Sequence, residues 1–581
     1  MTKSKPLYKS FRESFNKDFC SAVTNVVSAP VTVLELKEAN DTLLLSSDSA
    51  PQNVILLIDA NLNVFTKYGK PVSDLYSVLS LCKRTLPIFY ITTEKAADNL
   101  SDFLYENRIA DAMLCALYEN RDVLRYAYEK MPSLRCMVDA RGAFLPEDIS
   151  DLPSILVSCN ATSVILDADV CDRLSVHRLQ KRFIHVICDD ATGELEAVTK
   201  GVNGILTSDP AGYYSLYEKF PKNSFLKIHK LYAHKGFQNN GTYSENTISG
   251  VYAAGEYHFD GAEIDVKLTG DSVPVVMHNL NTKGLFDCEE MITEETDFDK
   301  MKDLRRIGFP NEGIDLFSDL MFKMKEMPET PIVIEFKPSA KYYRVEEMIE
   351  LAKPILSDER AQKNCVAIMG SQLCGLDYVH KELPFLPLGH CEGGRQIPPP
   401  PTSRSDAEER LYRISSITKG TASAYNPEDV NINRLFNEYA KMRGLCVFPW
   451  SRSWTLAPSL WENNGPMCDN TFLSGYDGWT TDHGEMYLDY PIMLKSSEDF
   501  NAEYKAGKAF KVECFAIHRD GSEEKCLCGI FDPSGSIKET ADGMYYCEAA
   551  GVYKVLLVKE LSLHFGDCYR IFSEPVLIAV K

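Results

Sequence analysis

Two carboxylates set two residues apart, with a histidine on either side along the chain, are the first residues here able to do chemistry. In Gly261-Ala262-Glu263-Ile264-Asp265-Val266 the acids alternate with apolar residues. That is a strand pattern, and side chains at i and i+2 of a strand share a face. His234 ends an earlier apolar run and is followed by Lys235 and Gly236, while His278 ends a later one. Paired carboxylates with histidines on neighbouring strand ends suit a metal held by oxygen, with imidazoles moving protons beside it. A second i, i+2 pair, Glu335 and Lys337, follows in Ile334-Glu335-Phe336-Lys337-Pro338.

These residues need a scaffold that brings strand ends together. Between residues 227 and 491 the sequence predicts strands at 231–233, 261–266, 273–277, 332–336, 365–369, 385–388, 422–425, 445–449 and 478–480. One of the nine can serve as a hairpin partner, which leaves the eight of a (β/α)8 barrel, a fold whose active sites lie at the C-terminal strand ends. All six chemical residues sit near such ends. Residues 20–222 repeat the alternation, with strands expected at 24–27, 54–59, 87–92, 112–116, 135–139, 163–166, 184–188 and 204–207. That half carries no histidine followed by a basic residue and no Glu-x-Asp pair, so it reads as structural or regulatory. An echo joins the halves: Gly201-Val202-Asn203-Gly204-Ile205-Leu206-Thr207 and Gly475-Tyr476-Asp477-Gly478-Trp479-Thr480-Thr481 share one frame, the mark of an old duplication. From about residue 493 the pattern changes to short alternating strands, predicting an immunoglobulin-like antiparallel β-sandwich.

The expected fold class is therefore α/β, two tandem (β/α)8 TIM-type barrels followed by that sandwich, with domains at 1–225, 226–492 and 493–581 of the 581 residues. A net charge of −21 argues against nucleic acid or an anionic membrane as main partner, since both need a basic face. No apolar run approaches the roughly 18 to 20 residues of a membrane-spanning helix, and the N-terminal stretch has no apolar core of a secretory signal. The 18 cysteines show no zinc-finger spacing and read as buried, reduced thiols of a cytoplasmic protein. The alternative is a secreted or cell-surface protein whose signal peptide is missing from this chain. Oligomeric state is not legible.

The ordered set His-Lys-Gly, Ser-Glu-Asn-Thr, Gly-Ala-Glu-Ile-Asp-Val, Val-Val-Met-His-Asn and Ile-Glu-Phe-Lys, over about residues 228–491, resembles the glycerophosphodiester phosphodiesterase family. Residues 20–222 look like a degenerate copy without catalytic residues. The resemblance implies metal-dependent hydrolysis of a small-molecule glycerophosphodiester to glycerol 3-phosphate and an alcohol. It makes His234 and His278 the acid/base pair, and Glu263, Asp265 and Glu335 the ligands of a divalent ion, Ca2+ or Mg2+ given hard oxygen donors. Lys337 and Lys235 would bind phosphate, and Glu245 would orient the first histidine or its basic neighbour from behind. Two positions depart from the family's usual His-Arg and His-Asp: here they are His234-Lys235 and His278-Asn279. Lysine keeps the charge but loses the bidentate fork of arginine.

All four tryptophans, Trp450, Trp454, Trp461 and Trp479, fall late in this barrel. They are expected at its mouth, with Trp450 against the substrate's alcohol group. An insert at about 390–421, including Pro398–Pro401, reads as a lid or a polyproline excursion. Two other functions fit the same residues: a phospholipase D-like action on lysophospholipids, and a non-catalytic barrel that serves as a binding scaffold.

Overall fold

The computed structural model describes residues 24–581 apart from 145–148, 150, 239–240, 327–329, 339–340, 342, 371–374, 393–398, 451–470, 498–503 and 565. Eight parallel strands close the first barrel: Val31–Glu35, Asn53–Ile58, Leu86–Tyr90, Met113–Leu117, Arg135–Asp139, Ala161–Leu166, His185–Asp189 and Gly204–Leu206. The last pairs back onto the first. Alternation along the strands divides the apolar side chains into two cores. Val31, Val33, Ile55, Ile88, Met137, Ile165 and Ile187 fill the interior, while Leu34, Val54, Leu56, Val138 and Val164 face the surrounding helices.

The expected first strand at 24–27 is a correction. Val26–Val27 stays outside the barrel and pairs with Ser224–Phe225, which in turn joins the C-terminal sheet. The barrel strand starts only at Val31, after Pro30, because proline donates no N–H to a ladder.

The second barrel runs Lys230–Ala233, Gly261–Leu268, Ile332–Phe336, Cys365–Gly370, Leu388–Glu392, Ala422–Pro427, Cys446–Val447 and Gly478–Thr481, all parallel. Its last seam is drawn closed by Asp477 N–H to Val447 O (2.9 Å) and Thr480 N–H to Pro449 O (3.0 Å). The ninth predicted strand is the hairpin partner: Pro274–Val276 lies antiparallel on Gly261–Leu268. The first barrel has the same hairpin, Asn63–Phe65 on Asn53–Ile58. The strand expected at 385–388 instead begins at Leu388 and continues to Glu392, displaced by the proline at 387. The insert is no excursion over its described part. Ser403 caps a helix Arg404–Thr418 by accepting the Asp406 N–H at 3.2 Å, and this helix is the regular connector between two barrel strands; Pro398 lies outside the described residues.

The two barrels meet base to base, so their mouths open away from each other. Arg135, at the start of a first-barrel strand, donates to Ala422 O at the start of a second-barrel strand (3.1 Å), and Asn53 donates to Met442 O (2.8 Å). The echoed motif lies in this seam. Asn203 Oδ1 accepts the Val186 N–H (3.0 Å) and Asp477 Oδ2 accepts the Val447 N–H (2.9 Å), the same bond made once in each barrel. The two side chains then touch, Asn203 Nδ2 donating to Asp477 Oδ1 at 3.1 Å.

The C-terminal region is antiparallel β as expected. Met493–Ser496, Val512–Ile517, Glu523–Phe531, Gly551–Ser562 and Cys568–Phe572 form one ladder, with Val576–Val580 on the first half of the long Gly551–Ser562 strand. It packs on both barrels: Phe531 stacks on Phe220 (4.2 Å), and Arg519 pairs with Asp260 and donates to His229 O. The described cysteines are all free thiols. No helix among the described residues is long and apolar enough to cross a membrane.

Candidate active site

His234 leaves the Lys230–Ala233 strand at the C-terminal end of the second barrel, and the chain turns at once. Lys235 and Gly236 both take left-handed backbone conformations, φ +55° and +77°. At Gly236 a Cβ would come within 2.9 Å of the Gly250 backbone, so glycine is required there. The turn returns the Lys235 N–H to Glu263 Oε2 (2.9 Å). It leads into the helix Ile248–Glu256, capped by Thr247 on the Gly250 N–H. On the next strand, Glu263 and Asp265 point into the barrel, both buried. Glu335 is the register partner of Asp265 on the strand beyond.

Strand order thus gathers the carboxylates. One oxygen from each of Glu263, Asp265 and Glu335 falls in a group no wider than 4.8 Å. Lys337 Nζ bridges two of them, 2.7 Å from Asp265 and 3.0 Å from Glu335. Burial opposes the charge on Lys337, but these carboxylates outweigh it and hold the ammonium protonated. Burial, and then the charge of Asp265, push the Glu263 carboxyl up to about 8. Asp265 moves the other way: burial is outweighed by Lys337 and His278, which keep it ionised. Glu263 Oε1 is buried with no hydrogen-bond partner. An orphaned buried carboxylate oxygen is costly unless a cation takes it. The all-oxygen set around it fits a hard divalent ion.

The histidines stand on either side. His234 Nδ1 lies 2.7 Å from Asp482 Oδ1, and its Nε2 lies 3.9 Å from Glu263. Burial disfavours the imidazolium, yet Asp482 and then Glu263 overcome this and raise its pKa to about 9. His278, at the end of the hairpin, shifts the other way: burial lowers its pKa, and Asp265 only partly offsets it. Its Nδ1 is 2.9 Å from Asn279 Oδ1. An amide oxygen there makes Nδ1 the donor and leaves Nε2 free to accept a proton. Glu245 pairs with Lys235 (3.2 Å).

Eight of the nine candidates are therefore knit into one group. Trp450 sits at the same end of the barrel, bridging Glu428 and Thr480 through its backbone, with its indole Nε1 buried and unpartnered. Trp479 is a correction: it is fully buried and packs edge-on against Tyr487 (5.3 Å), outside the mouth. Alternation explains it, because the barrel strand places Thr480 inward and Trp479 outward. Trp454 and Trp461 lie outside the described residues.

Two further positions of the candidate site escaped the sequence reading. Asp482 follows the echoed motif directly, so the motif could have pointed to it, but its partner His234 is 248 residues away. Asn246 reads as part of a helix start. In the structure its Nδ2 donates to Asp265 Oδ2 (2.9 Å) and its Oδ1 accepts the Asp265 N–H (2.9 Å), fixing that carboxylate.

Residues 234–453 match the family model described as the glycerophosphoryl diester phosphodiesterase family. Among solved structures, the chain is similar to an Oleispira antarctica phosphodiesterase in complex with sn-glycerol-3-phosphate (18% identity, 44% of this chain and 94% of that chain, TM-score 0.34). Others are glycerophosphodiester phosphodiesterases from Parabacteroides distasonis (20%, 44% and 94%, TM-score 0.33) and Thermotoga maritima (18%, 45% and 97%, TM-score 0.30). No curated protein matches the chain. Over residues 234–453, the stretch that holds all nine candidates, the chain carries a domain of the glycerophosphoryl diester phosphodiesterase family.

Proposed function

We propose that the second barrel hydrolyses glycerophosphodiesters to glycerol 3-phosphate and an alcohol. The observation that carries this reading is the buried, unpartnered Glu263 oxygen in a three-carboxylate group, flanked by histidines shifted in opposite directions. Glu263, Asp265 and Glu335 would hold a divalent ion, Ca2+ or Mg2+, which supplies positive charge at the phosphoryl oxygens. Lys337 and Lys235 add fixed positive charge beside it. His278, the less basic imidazole, takes the proton of the glycerol 2-hydroxyl as that oxygen attacks phosphorus. His234, held charged by Asp482, gives its proton to the departing alcohol as the P–O bond breaks. Water then opens the cyclic phosphate with the two roles reversed. Trp450 offers its face to the alcohol.

The domain limits that follow are 226–492 for this barrel, 1–225 for a degenerate barrel without catalytic residues, and 493–581 for an immunoglobulin-like module that packs against both. The test is turnover of glycerophosphocholine with added Ca2+ or Mg2+. Chelation should abolish it, and His234→Ala should lower kcat by about 10²–10⁴-fold. Turnover that survives both would remove the proposed site.

A further inference from the structure

Beside the seam between the barrels lies a cavity of about 610 Å³, within the range of small-molecule sites. The first barrel lines it with Arg178, Lys181 and Arg182, the second with Lys325, Arg360 and Lys363. Two carboxylates share the wall, Asp358 and Glu359, so six cations face two anions in a chain of net charge −21. Both carboxylates are already engaged, Asp358 with Lys325 (2.8 Å) and Glu359 with Lys363 (3.1 Å); Lys363 also reaches Asp151 (3.3 Å) and Lys181 lies 4.0 Å from Asp260, both outside the lining.

Arg182 is the most deeply buried of the six cations. It is 6% exposed and donates one Nη to the carbonyl of Gln362 across the seam (2.6 Å). Its Nε is buried with no hydrogen-bond partner. A guanidinium is rarely buried unless a carboxylate or another anion pairs with it, and this one spends its described bond on a neutral carbonyl. The planar fork of arginine matches phosphate oxygens bidentately, and the lysines around it add charge without demanding geometry. The remaining wall is apolar: Ile149, Pro153, Leu179 and Pro331 line the same cavity, enough to cover a small carbon skeleton.

We propose that this cleft binds a phosphate dianion, free or carried as a phosphomonoester, between the two barrels. The occupant places an anion beside Arg182 and the surrounding cations and ties together elements from both barrels. The proposal is independent of the reaction assigned to the second barrel's mouth, which faces away from this seam.

The experiment is calorimetric titration of the full-length, chelator-treated protein with inorganic phosphate and, separately, with sn-glycerol 3-phosphate. It is repeated in Lys337→Ala to remove phosphate binding at the mouth. One class of sites should survive Lys337→Ala. That class should weaken about tenfold or more in Arg182→Gln, the loss expected for one charged hydrogen bond. The double variant Arg178→Ala/Lys363→Ala should weaken it similarly while leaving turnover of glycerophosphocholine unchanged. If Arg182→Gln fails to fold, the double variant decides, because both of its positions are solvent-accessible. A monoester that binds more tightly than phosphate identifies an organic occupant resting on the apolar wall, and equal affinities identify free phosphate. No binding class surviving Lys337→Ala, or affinities unchanged in the cleft variants, would overturn the proposal.

Discussion

Strand register carries the two histidines and three acidic candidates of the second mouth onto positions in the first. Gly204 pairs with Val31 as Gly478 pairs with Lys230, which sets Glu35 at the place of His234. The next strands set Ile55 at Glu263, Leu57 at Asp265 and Tyr90 at Glu335. The hairpins set Thr66 at His278. Glu35, Ile55, Leu57 and Tyr90 all line a cavity of about 470 Å³ in the first mouth. The lesson is electrostatic. The second mouth gathers three carboxyl groups and leaves an oxygen of Glu263 unpartnered, a site that the proposed divalent ion would fill. The first mouth supplies its cations from the chain, Lys67 at 3.4 Å from Glu35 and, more closely, Arg141. Arg141 grips Asp139 through Nε and Nη (2.9 and 2.7 Å) and Glu35 through both Nη (2.7 and 3.1 Å). Although burial opposes ionisation of Glu35, Arg141 outweighs it and keeps the carboxylate charged.

The sharpest break in this comparison is at the histidine, because the first barrel has serine, Ser208, where the second has Asp482. Asp482→Asn should cost about 10- to 100-fold in kcat, the loss of one charged hydrogen bond to a buried group. The sign with pH is fixed. In the proposed mechanism His234 is the acid and must be protonated, and its pKa of about 9 depends on Asp482 overcoming burial. Without that carboxylate, burial governs and the pKa falls, so the alkaline limb of the kcat–pH profile should move to lower pH. The deficit should therefore be smallest in acid and grow as pH rises. An alkaline limb that stays in place would show that His234 is not the acid.

This pairing also marks how far the sequence could be read. Period-two alternation places Glu263 with Asp265, and Glu335 with Lys337, because a strand's geometry is local. Register does the rest, and register is not local: nothing near Asp265 announces that Glu335 sits beside it or that Asn246 holds it. Barrel strands were legible where an apolar run is unbroken, as at Ile332–Phe336. They were displaced where a proline interrupts the run, before Val31 and before Leu388. The base-to-base seam was visible only as a repeated G-x-[ND]-G frame. Its physical meaning, two side chains that each bond a neighbouring strand and then each other, appears only once both barrels are folded. Arg141 gave no signal, because its two partners arrive from different strands.

Arg141 is the next test. Arg141→Met leaves Glu35 and Asp139 largely buried without their shared cation, which should destabilise the first barrel by about 1–3 kcal/mol. The variant should unfold at lower urea concentration, and turnover of glycerophosphocholine in the folded protein should stay within about twofold of wild type. The opposite outcome, intact stability with lost turnover, would make the first mouth part of the catalytic machinery and dissolve the contrast between the barrels.

The smallest effect is expected at Asn279, where the second mouth itself leaves the pattern of its family. The Asn279 oxygen, 2.9 Å from His278 Nδ1, orients the ring without adding charge, while burial lowers the ring's pKa. Asn279→Asp would place a carboxylate at the same point. A half-buried contact of this kind is worth about 0.3–1 kcal/mol, so the pKa of His278 should rise by less than one unit. As the proposed base, His278 would have to be neutral to accept a proton, so the acid limb of the kcat–pH profile should move to higher pH. Near neutral pH two effects oppose each other: a stronger base speeds proton abstraction, and a smaller neutral fraction slows it. The net change in kcat should stay within about fivefold, with the displaced acid limb as the diagnostic reading. An acid limb that does not move would assign the base role to a group other than His278.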